Sequence, residues 1–228
     1  MNIQACIDFA IKKHKGQKRK NGDDYITHPL RVYSSVKSFG DDVAIVGLFH
    51  DLLEDTDATE EEILNLSNEK VLEAVKLLTK TKDNKKTYLK NIVANDLAKI
   101  VKNADRIDNL NDILILDMDV YFTFIEGYLK NTKKYLNIFS PELDQLYEEL
   151  KIKYQNYCDE NFLYTINGSM DYLTTPLWRV NKNTGDAYVY KNNLWVLCDP
   201  EFWIDLESDA LDVTYKIAKE IIAIKSGQ

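Results

Sequence analysis

A short stretch near the amino terminus combines residue types that can perform metal or acid–base chemistry. His50 and Asp51 are adjacent, and two more carboxylates, Glu54 and Asp55, follow within about one helical turn. The apolar residues around them have helical spacing, so Glu54 is expected one turn from both His50 and Asp51. Carboxylates beside a largely buried helix are costly unless a cation or hydrogen bonds compensate them. The stretch alone slightly favours a hydrogen-bonded core histidine beside a solvated helix end over a catalytic or metal centre.

Two further positions add potential metal ligands and change that balance. His28 precedes a proline, which suits the first position of a helix, so we expect the histidine at or near the helix cap with its ring directed into a cleft. Asp105 lies within the apolar face of a predicted helix spanning Tyr88–Leu116, where it needs a compensating partner such as a metal. With His50 and Asp51, these residues supply two imidazoles and two carboxylates, a set compatible with manganese, iron or zinc.

A basic run after the first predicted helix is the strongest positive cluster in the sequence. Its members are Lys12, Lys13, Lys15, Lys18, Arg19 and Lys20. Such a run is usually a solvated helix end and loop, but it can also form a rim that binds anions. The net charge of -8 argues against a general nucleic-acid binder, because nothing overall attracts phosphate backbones. A local cation cluster can still bind a phosphorylated small molecule.

The composition predicts a soluble cytoplasmic protein that acts neither on nucleic acid nor on membranes. Hydrophobic residues make up 45% of the 228 residues and charged residues 29%, as in globular domains. Cys6, Cys158 and Cys198 show no metal-ligand spacing and are typical of reduced thiols in the cytosol. The first fifteen residues predict a short amphipathic helix rather than a signal peptide. No apolar run is long enough to span a bilayer.

Helical periodicity predicts a mainly α-helical domain over residues 1–160. The first helix is expected to end near Gly16, and the second to begin at Pro29 and stop at Gly40. The third helix carries His50 and Asp51. Further helices are expected through Leu66, Leu78, Leu116, Phe139 and Tyr157, which together give a helical core.

The composition changes after Asn161 and predicts a small α/β appendage over residues 161–228. Three short aromatic and β-branched runs predict a three-stranded antiparallel meander; they are Leu177–Val180, Ala187–Tyr190 and Leu194–Leu197. A terminal helix is expected near Asp209–Lys225. Since three strands need a packing partner, the appendage is expected to pack on this helix, on the helical core, or on a second copy of the chain in a homo-oligomer.

Four motifs occur in an order that resembles the HD superfamily of metal-dependent phosphohydrolases, and more narrowly the alarmone-hydrolase branch of the RelA/SpoT homologues. They are Gly16-Gln17-Lys18-Arg19-Lys20-Asn21-Gly22, Tyr25-Ile26-Thr27-His28-Pro29, Phe49-His50-Asp51-Leu52-Leu53-Glu54-Asp55-Thr56 and Asn103-Ala104-Asp105-Arg106-Ile107-Asp108-Asn109. The resemblance covers roughly residues 1–155. It implies that residues 1–160 form an HD phosphohydrolase domain and that the chain is a small, hydrolase-only member of the family.

The resemblance also implies roles for individual residues. In this family a single divalent ion, usually manganese, is held by the residues that match His28, His50, Asp51 and Asp105. Glu54 and Asp55 match an acidic pair that positions or deprotonates the attacking water. Arg19 matches a residue that lies against the guanine base, while Lys20 and Asn109 would contribute to substrate binding.

The function implied by the resemblance is removal of the 3′-pyrophosphate from guanosine 3′,5′-bis(diphosphate) or pentaphosphate, which yields GDP or GTP and pyrophosphate. One alternative is an HD phosphatase acting on another nucleotide, such as NADPH or a deoxynucleotide. Another is a non-catalytic alarmone sensor or interaction module, although such a protein does not need Glu54 and Asp55. Asp108 stands where histidine is common in the family, and Asp112 follows one turn later. We expect these extra carboxylates to weaken polyphosphate binding.

Overall fold

Ten α-helices make up most of the first 161 residues. The computed structural model of the protein describes residues 2–167, 176–192, 194–198, 210–213 and 215–226. The helices are α1 Ile3–Lys13, α2 Thr27–Val36, α3 Asp41–Phe49, α4 Leu52–Asp55, α5 Glu60–Leu66, α6 Glu69–Leu78, α7 Tyr88–Val93, α8 Asp96–Leu114, α9 Met118–Thr132 and α10 Pro141–Asn161. The prediction of a mainly helical fold is therefore confirmed.

The predicted helix Tyr88–Leu116 is divided into α7 and α8 by a side-chain cap. Asn95 has extended backbone angles, and its side chain accepts a hydrogen bond from Ala98 N. An asparagine in this position satisfies one of the free N–H groups at a helix start. The cap fixes where α8 begins, and α8 carries Asp105 and Asn109.

The helix that holds the His50–Asp51 pair is also interrupted, at the pair itself. α3 ends at Phe49 and α4 begins at Leu52. His50 Nδ1 lies 2.8 Å from Gly47 O, a carbonyl that the next helical turn would otherwise use. His28 differs slightly from expectation as well, because α2 begins at Thr27 and places the histidine in the first turn rather than at the cap.

α3 lies at the centre of the hydrophobic core. Every residue from Val43 to Phe49 is buried, and the surrounding core residues come from α1, α2, α5, α6 and α8. A Cβ atom at Gly47 would lie 3.0 Å from Val36 Cγ2 and 3.4 Å from the backbone of Tyr33. Gly47 therefore permits the close approach of α2 and α3, the helices next to His28 and His50.

The chain divides into two compact units, Met1–Lys151 and Ile152–Gln228. The division lies within α10 rather than at residue 160, where the sequence predicted it. Among the described residues, no helix combines the length and apolar composition needed to cross a bilayer.

The second unit contains a five-stranded antiparallel sheet instead of the predicted three-stranded meander. The strands are β1 Phe162–Asn167, β2 Leu177–Asn181, β3 Ala187–Lys191, β4 Leu194–Leu197 and β5 Ala210–Val213, in the spatial order β4-β3-β2-β1-β5. The three predicted runs correspond to β2, β3 and β4. β1 follows α10 directly, without the turn residues that usually announce a strand.

The terminal helix α11, Tyr215–Ser226, begins later than predicted. Residues 210–213 pair with β1 as strand β5, and Asp209 lies outside the described residues. α11 contacts β1 and β5, and its Ala218 and Ile221 are buried. Of the packing partners expected for the sheet, the structure therefore supplies the terminal helix.

Candidate metal centre

Four side chains from α2, the α3–α4 junction and α8 converge on one point. His28 Nε2 lies 3.2 Å from His50 Nε2, 3.6 Å from Asp51 Oδ2 and 3.2 Å from Asp105 Oδ1. His50 Nε2 lies 3.0 Å from Asp51 Oδ2 and 3.8 Å from Asp105 Oδ1. Both histidines and Asp105 are buried. The fold thus presents two imidazole nitrogens and two carboxylate oxygens to a shared space.

Hydrogen bonds on the far side of each imidazole determine which nitrogen carries the proton. His50 Nδ1 is 2.8 Å from Gly47 O, a carbonyl that can only accept. His28 Nδ1 is 2.6 Å from Asp108 Oδ2, and a carboxylate also favours an N–H donor there. In the neutral rings, both Nε2 atoms therefore direct lone pairs at the shared space.

A divalent metal ion fits this arrangement. Ligand atoms about 2.1 Å from an ion, at octahedral to tetrahedral angles, lie roughly 3.0–3.4 Å apart. The separations of 3.0, 3.2 and 3.6 Å among His28, His50 and Asp51 are close to that range. Two carboxylates in a buried space need positive charge to compensate them, which a proton on His28 or a metal ion can supply. The donor types also suit divalent transition metals.

The charges of the centre favour a cation. Burial raises the pKa of Asp51, but His50 and His28 outweigh it and hold the net pKa below its usual range. Burial likewise raises the pKa of Asp105, while Lys102 and the histidines bring it well below the usual value. Burial lowers the pKa of His28, but hydrogen bonds to Asp105 and Asp108 raise it to about 9. Both acids are therefore ionised near neutral pH, and the centre attracts positive charge.

Neighbouring side chains hold the two aspartates in place. Lys102 Nζ lies 2.8 Å from Asp105 Oδ2, and Asn109 Nδ2 donates to Asp105 Oδ1 at 2.5 Å. Tyr25 Oη donates to Asp51 Oδ2 at 2.7 Å. Each aspartate thus has an outer partner that fixes its orientation, as outer groups do around metal ligands.

The predicted acidic pair lies on the rim of the centre, in a cavity of about 330 Å³ that also contains His50, Asp51 and Asp105. Glu54 Oε2 accepts a hydrogen bond from Lys80 N at 2.8 Å, and Asp55 Oδ2 lies 3.1 Å from Tyr25 Oη, whose single proton it shares with Asp51. Burial raises the pKa of Glu54, and burial together with Asp51 raises that of Asp55. A raised carboxylate pKa makes a better proton acceptor near neutral pH.

The predicted substrate residues lie on the other side of Asp105. Arg19 Nη2 donates to Asn109 Oδ1 at 3.0 Å, while Asn109 donates to Asp105. Lys20 Nζ lies 4.5 Å from the ring centroid of Phe124. These residues border a second cavity of about 320 Å³, which shares Asn109 with the first. Arg19 is therefore connected to the centre through one amide side chain.

The two extra carboxylates of α8 are compensated, contrary to the expectation that they would oppose an anionic ligand. Asp108 accepts from His28 Nδ1 and, at 2.6 Å, from Arg31 Nε. Asp112 lies 2.6 Å from Arg19 Nε and 2.9 Å from Arg31 Nη2. Burial raises the pKa of Asp108, but His28 and Arg31 lower it to about 2. These charges organise the site and do not face a ligand unpaired.

Several side chains at the site received no role from the sequence. Tyr25 joins Asp51 to Asp55 through its hydroxyl, and the buried His14 ring lies against it with centroids 5.0 Å apart. Lys102 precedes Asp105 by one helical turn, a spacing at which side chains meet. That spacing could have identified Lys102, whereas the contact of His14 with Tyr25 depends on the loop between α1 and α2.

Part of the chain that carries this centre is similar to a known kind of domain. Residues 6–115 match a family model described as HD domain. The chain is 37% identical over 124 residues to the guanosine-3′,5′-bis(diphosphate) 3′-pyrophosphohydrolase of Aquifex aeolicus, covering 50% of this chain and 18% of that protein. It is 29% identical over 170 residues to the GTP pyrophosphokinase rsh of Brucella melitensis, covering 65% of this chain and 22% of that protein. The chain thus spans about a fifth of the length of these curated relatives.

A solved structure has the same helical fold. It belongs to a metazoan SpoT orthologue described as hydrolysing ppGpp, with a TM-score of 0.52 and 23% sequence identity. The match covers 66% of this chain and 93% of that one. At this identity the likeness concerns the fold of the helical region.

Proposed function

We propose that the protein is a metal-dependent phosphohydrolase that removes the 3′-pyrophosphate from guanosine 3′,5′-bis(diphosphate) or pentaphosphate, because residues 6–115 match a family model described as HD domain. The observation that carries the proposal is the convergence of His28, His50 and Asp51, with Asp105 Oδ1 3.2 Å from His28 Nε2, beside Glu54 and Asp55. Similarity to the Aquifex aeolicus 3′-pyrophosphohydrolase supports the choice of substrate.

In this proposal, one divalent ion, with manganese preferred, is held by His28, His50, Asp51 and Asp105. When bound, the ion would lower the pKa of a coordinated water and neutralise charge on a phosphoryl oxygen. Asp108 and Gly47 O hold the two imidazoles in the tautomer that leaves Nε2 free. Lys102 engages Asp105 Oδ2 and leaves Oδ1 to face the histidines.

The protein's own groups then orient the substrate and move the proton. Glu54, with its raised pKa, accepts the proton of the attacking water. Asp55, tied to Tyr25, orients that water. Arg19 provides a planar cation for the guanine base, and Lys20 and Asn109 complete the nucleotide contacts.

We assign the activity to the cytoplasm and to the nucleotides of the stringent response. Within the described residues, none of the three cysteines forms a disulfide, as is usual in a reducing compartment. This location supports a substrate drawn from the guanine nucleotide pool.

The test is incubation of the purified protein with Mn²⁺ and a panel of nucleotides, with products separated by ion-exchange chromatography. The panel contains guanosine 3′,5′-bis(diphosphate), the pentaphosphate, NADPH and deoxynucleoside triphosphates. We expect GDP or GTP and pyrophosphate from the first two. Cleavage of NADPH or deoxynucleotides alone would identify another HD phosphatase, and absence of cleavage would contradict an enzymatic role. Metal content measured on the same preparation checks the ion independently of turnover.

A further inference from the structure

Three cations that have received no role so far line the metal-centre cavity. They are Lys80, Arg106 and Lys134, and we call them the cation wall. Lys102 lines the same cavity but pairs with Asp105 at 2.8 Å. Within the described residues, none of the three members of the cation wall pairs with a carboxylate.

Arg106 is the best-fixed member of the wall. Its guanidinium carbon lies 4.2 Å from the ring centroid of Tyr128 and 5.0 Å from that of Tyr135. Its Nη2 donates to the hydroxyl of Thr132, while its Nε is buried without a hydrogen-bond partner in the described part of the chain. Aromatic contacts hold a guanidinium in one orientation at little entropic cost. Arg106 is therefore a rigid cation on the lining of the cavity.

The members of the wall lie close enough to repel one another. Burial lowers the pKa of Lys134, and the neighbouring charges of Lys80 and Arg106 lower it further. A polyanion in the cavity would relieve this repulsion and could form charge-assisted hydrogen bonds with these cations.

The two cavities at the site differ in chemistry. The cation wall lies in one, while the other, beside Arg19, is bordered by Phe124, Tyr128 and Leu116. Tyr25 and Asn109 line both, so the cavities adjoin at the metal centre. An aromatic border suits a planar base, whereas a wall of cations suits phosphates.

We infer that the cation wall is the subsite for the pyrophosphoryl group of the substrate, with the nucleoside in the cavity beside Arg19. This rests on the proposed function for the identity of the reaction. In that reaction, a bond forms between the water oxygen and the phosphorus attached to the ribose, and the bond from that phosphorus to the 3′ oxygen breaks. The water gives one proton to a carboxylate, and the 3′ oxygen takes up a proton. The pyrophosphate that is released then lies at Arg106 and Lys134.

The inference is tested by calorimetric titration of the metal-loaded full-length protein with inorganic pyrophosphate and, separately, with GDP. Loss of a charged hydrogen bond should weaken pyrophosphate binding about tenfold or more in Arg106→Gln. Lys134→Gln should weaken it by roughly threefold, because that side chain is exposed. Affinity for GDP should stay within about twofold in both variants. Lys133→Gln, which alters the exposed neighbour outside the cavity, is the matched control and should change neither affinity.

The two variants distinguish a subsite from a structural role. Arg106→Gln removes contacts to Tyr128 and Thr132, so melting temperature and metal content are measured beside the titrations. Lys134→Gln, at an exposed position, tests the same subsite without that risk. Unchanged pyrophosphate affinity in Lys134→Gln and in a folded Arg106→Gln, or equal weakening of pyrophosphate and GDP, would overturn the inference. No pyrophosphate binding by the native protein would overturn it too. Pyrophosphate binding that depends on Arg106, without cleavage of any nucleotide, would refute the proposed function and leave the subsite standing.

Discussion

At the residue scale, the surroundings of Glu54 suit a general base. Burial raises the pKa of its carboxyl, and one oxygen accepts from Lys80 N at 2.8 Å. We expect Glu54→Gln to bind metal and nucleotide normally and to lose a factor of about 10² to 10⁴ in kcat, because the amide keeps the shape and loses the basicity. Steady-state kinetics and metal analysis check this. Glu61→Gln, at an exposed position of α5, is the control, and normal turnover by Glu54→Gln would shift the role to Asp55.

Arg19 is half-buried and bound on two sides. Its Nε pairs with Asp112 and its Nη2 donates to Asn109, which a lysine ammonium cannot reproduce in the same geometry. We expect Arg19→Lys to be almost as harmful as Arg19→Ala, with kcat/KM lowered about tenfold or more by loss of the base contact. Metal content should not change.

The control for Arg19 follows from the same basic run. Lys13 is bound to Asp57 and Glu62, so the exposed Lys15 is the cleaner comparison. Lys15→Ala should leave kcat/KM within about twofold, as expected for an exposed charge. Equal, small losses at positions 15 and 19 would mean that the run acts only as diffuse charge.

Asp108 is expected to act on the metal through His28. It is the acceptor for His28 Nδ1 at 2.6 Å, and Asp108→Leu removes that acceptor. Loss of such an outer partner typically lowers metal affinity by about 10- to 100-fold. Asp112→Asn leaves the partner of His28 intact, so its metal affinity should fall much less. Titration with Mn²⁺ in the absence of nucleotide measures both, and equal affinities would contradict the assignment.

At the scale of helices, the distance between α2 and α3 sets the distance between the two imidazoles. A Cβ at Gly47 would lie 3.0 Å from Val36 Cγ2 and 3.4 Å from the backbone of Tyr33. Alanine favours the helical state by about 1 kcal/mol over glycine, but here it must push α2 away. We expect Gly47→Ala to lower metal affinity severalfold while the protein stays folded. Gly127→Ala, where a Cβ meets nothing within 4 Å, is the matched control.

The same scale shows what the sequence could predict. Apolar residues at helical spacing were sufficient to predict the helical core. It could not predict the break at His50–Asp51, because that break depends on a hydrogen bond from a side chain to Gly47 O. Strands β1 and β5 were missed for a related reason. β1 is defined by its pairing with β2 and β5, and β5 by its pairing with β1, not by a local pattern.

At the scale of the whole molecule, the centre should make stability depend on pH in the metal-free protein. The pKa of His28 is raised from 6.5 to about 9, so its stabilisation is fully present below pH 6.5 and is lost as the pH rises through 9. The lowered pKa of Asp51 gives stabilisation that is present above 3.8 and is lost as the pH falls. We expect the melting temperature of chelated protein to decline between pH 6.5 and 9. A flat profile over that interval would contradict this.

Bound metal should remove the decline in melting temperature between pH 6.5 and 9. Binding of a divalent ion requires unprotonated imidazoles, so affinity should increase with pH while the proton is displaced from the centre. An ion that binds only the folded state stabilises it by mass action. Melting curves with saturating Mn²⁺ should therefore lie above those with chelator by an amount that grows toward pH 9.

Across the molecule, the residues that could perform chemistry were easier to predict from the sequence than the residues that hold them in place. His28, His50, Asp51 and Asp105 could be selected because their types are costly in apolar surroundings. Their assignment as ligands stays a prediction. Arg31 could not be selected from the sequence. Its role depends on its ion pairs with Asp108 and Asp112 of α8, which lie far from it in the chain.

The alternation of charges from Arg19 through Asp112, Arg31 and Asp108 to His28 has a consequence for how such sequences can diverge. Asp112, Arg31 and Asp108 each pair with two partners. Substitution of any one of them therefore leaves the residue on each side with only part of its charge compensated. A sequence with histidine at position 108 would deprive Arg31 of one of its two carboxylates. We therefore expect positions 31, 108 and 112 to vary together among related sequences, as one inherited unit rather than three independent sites.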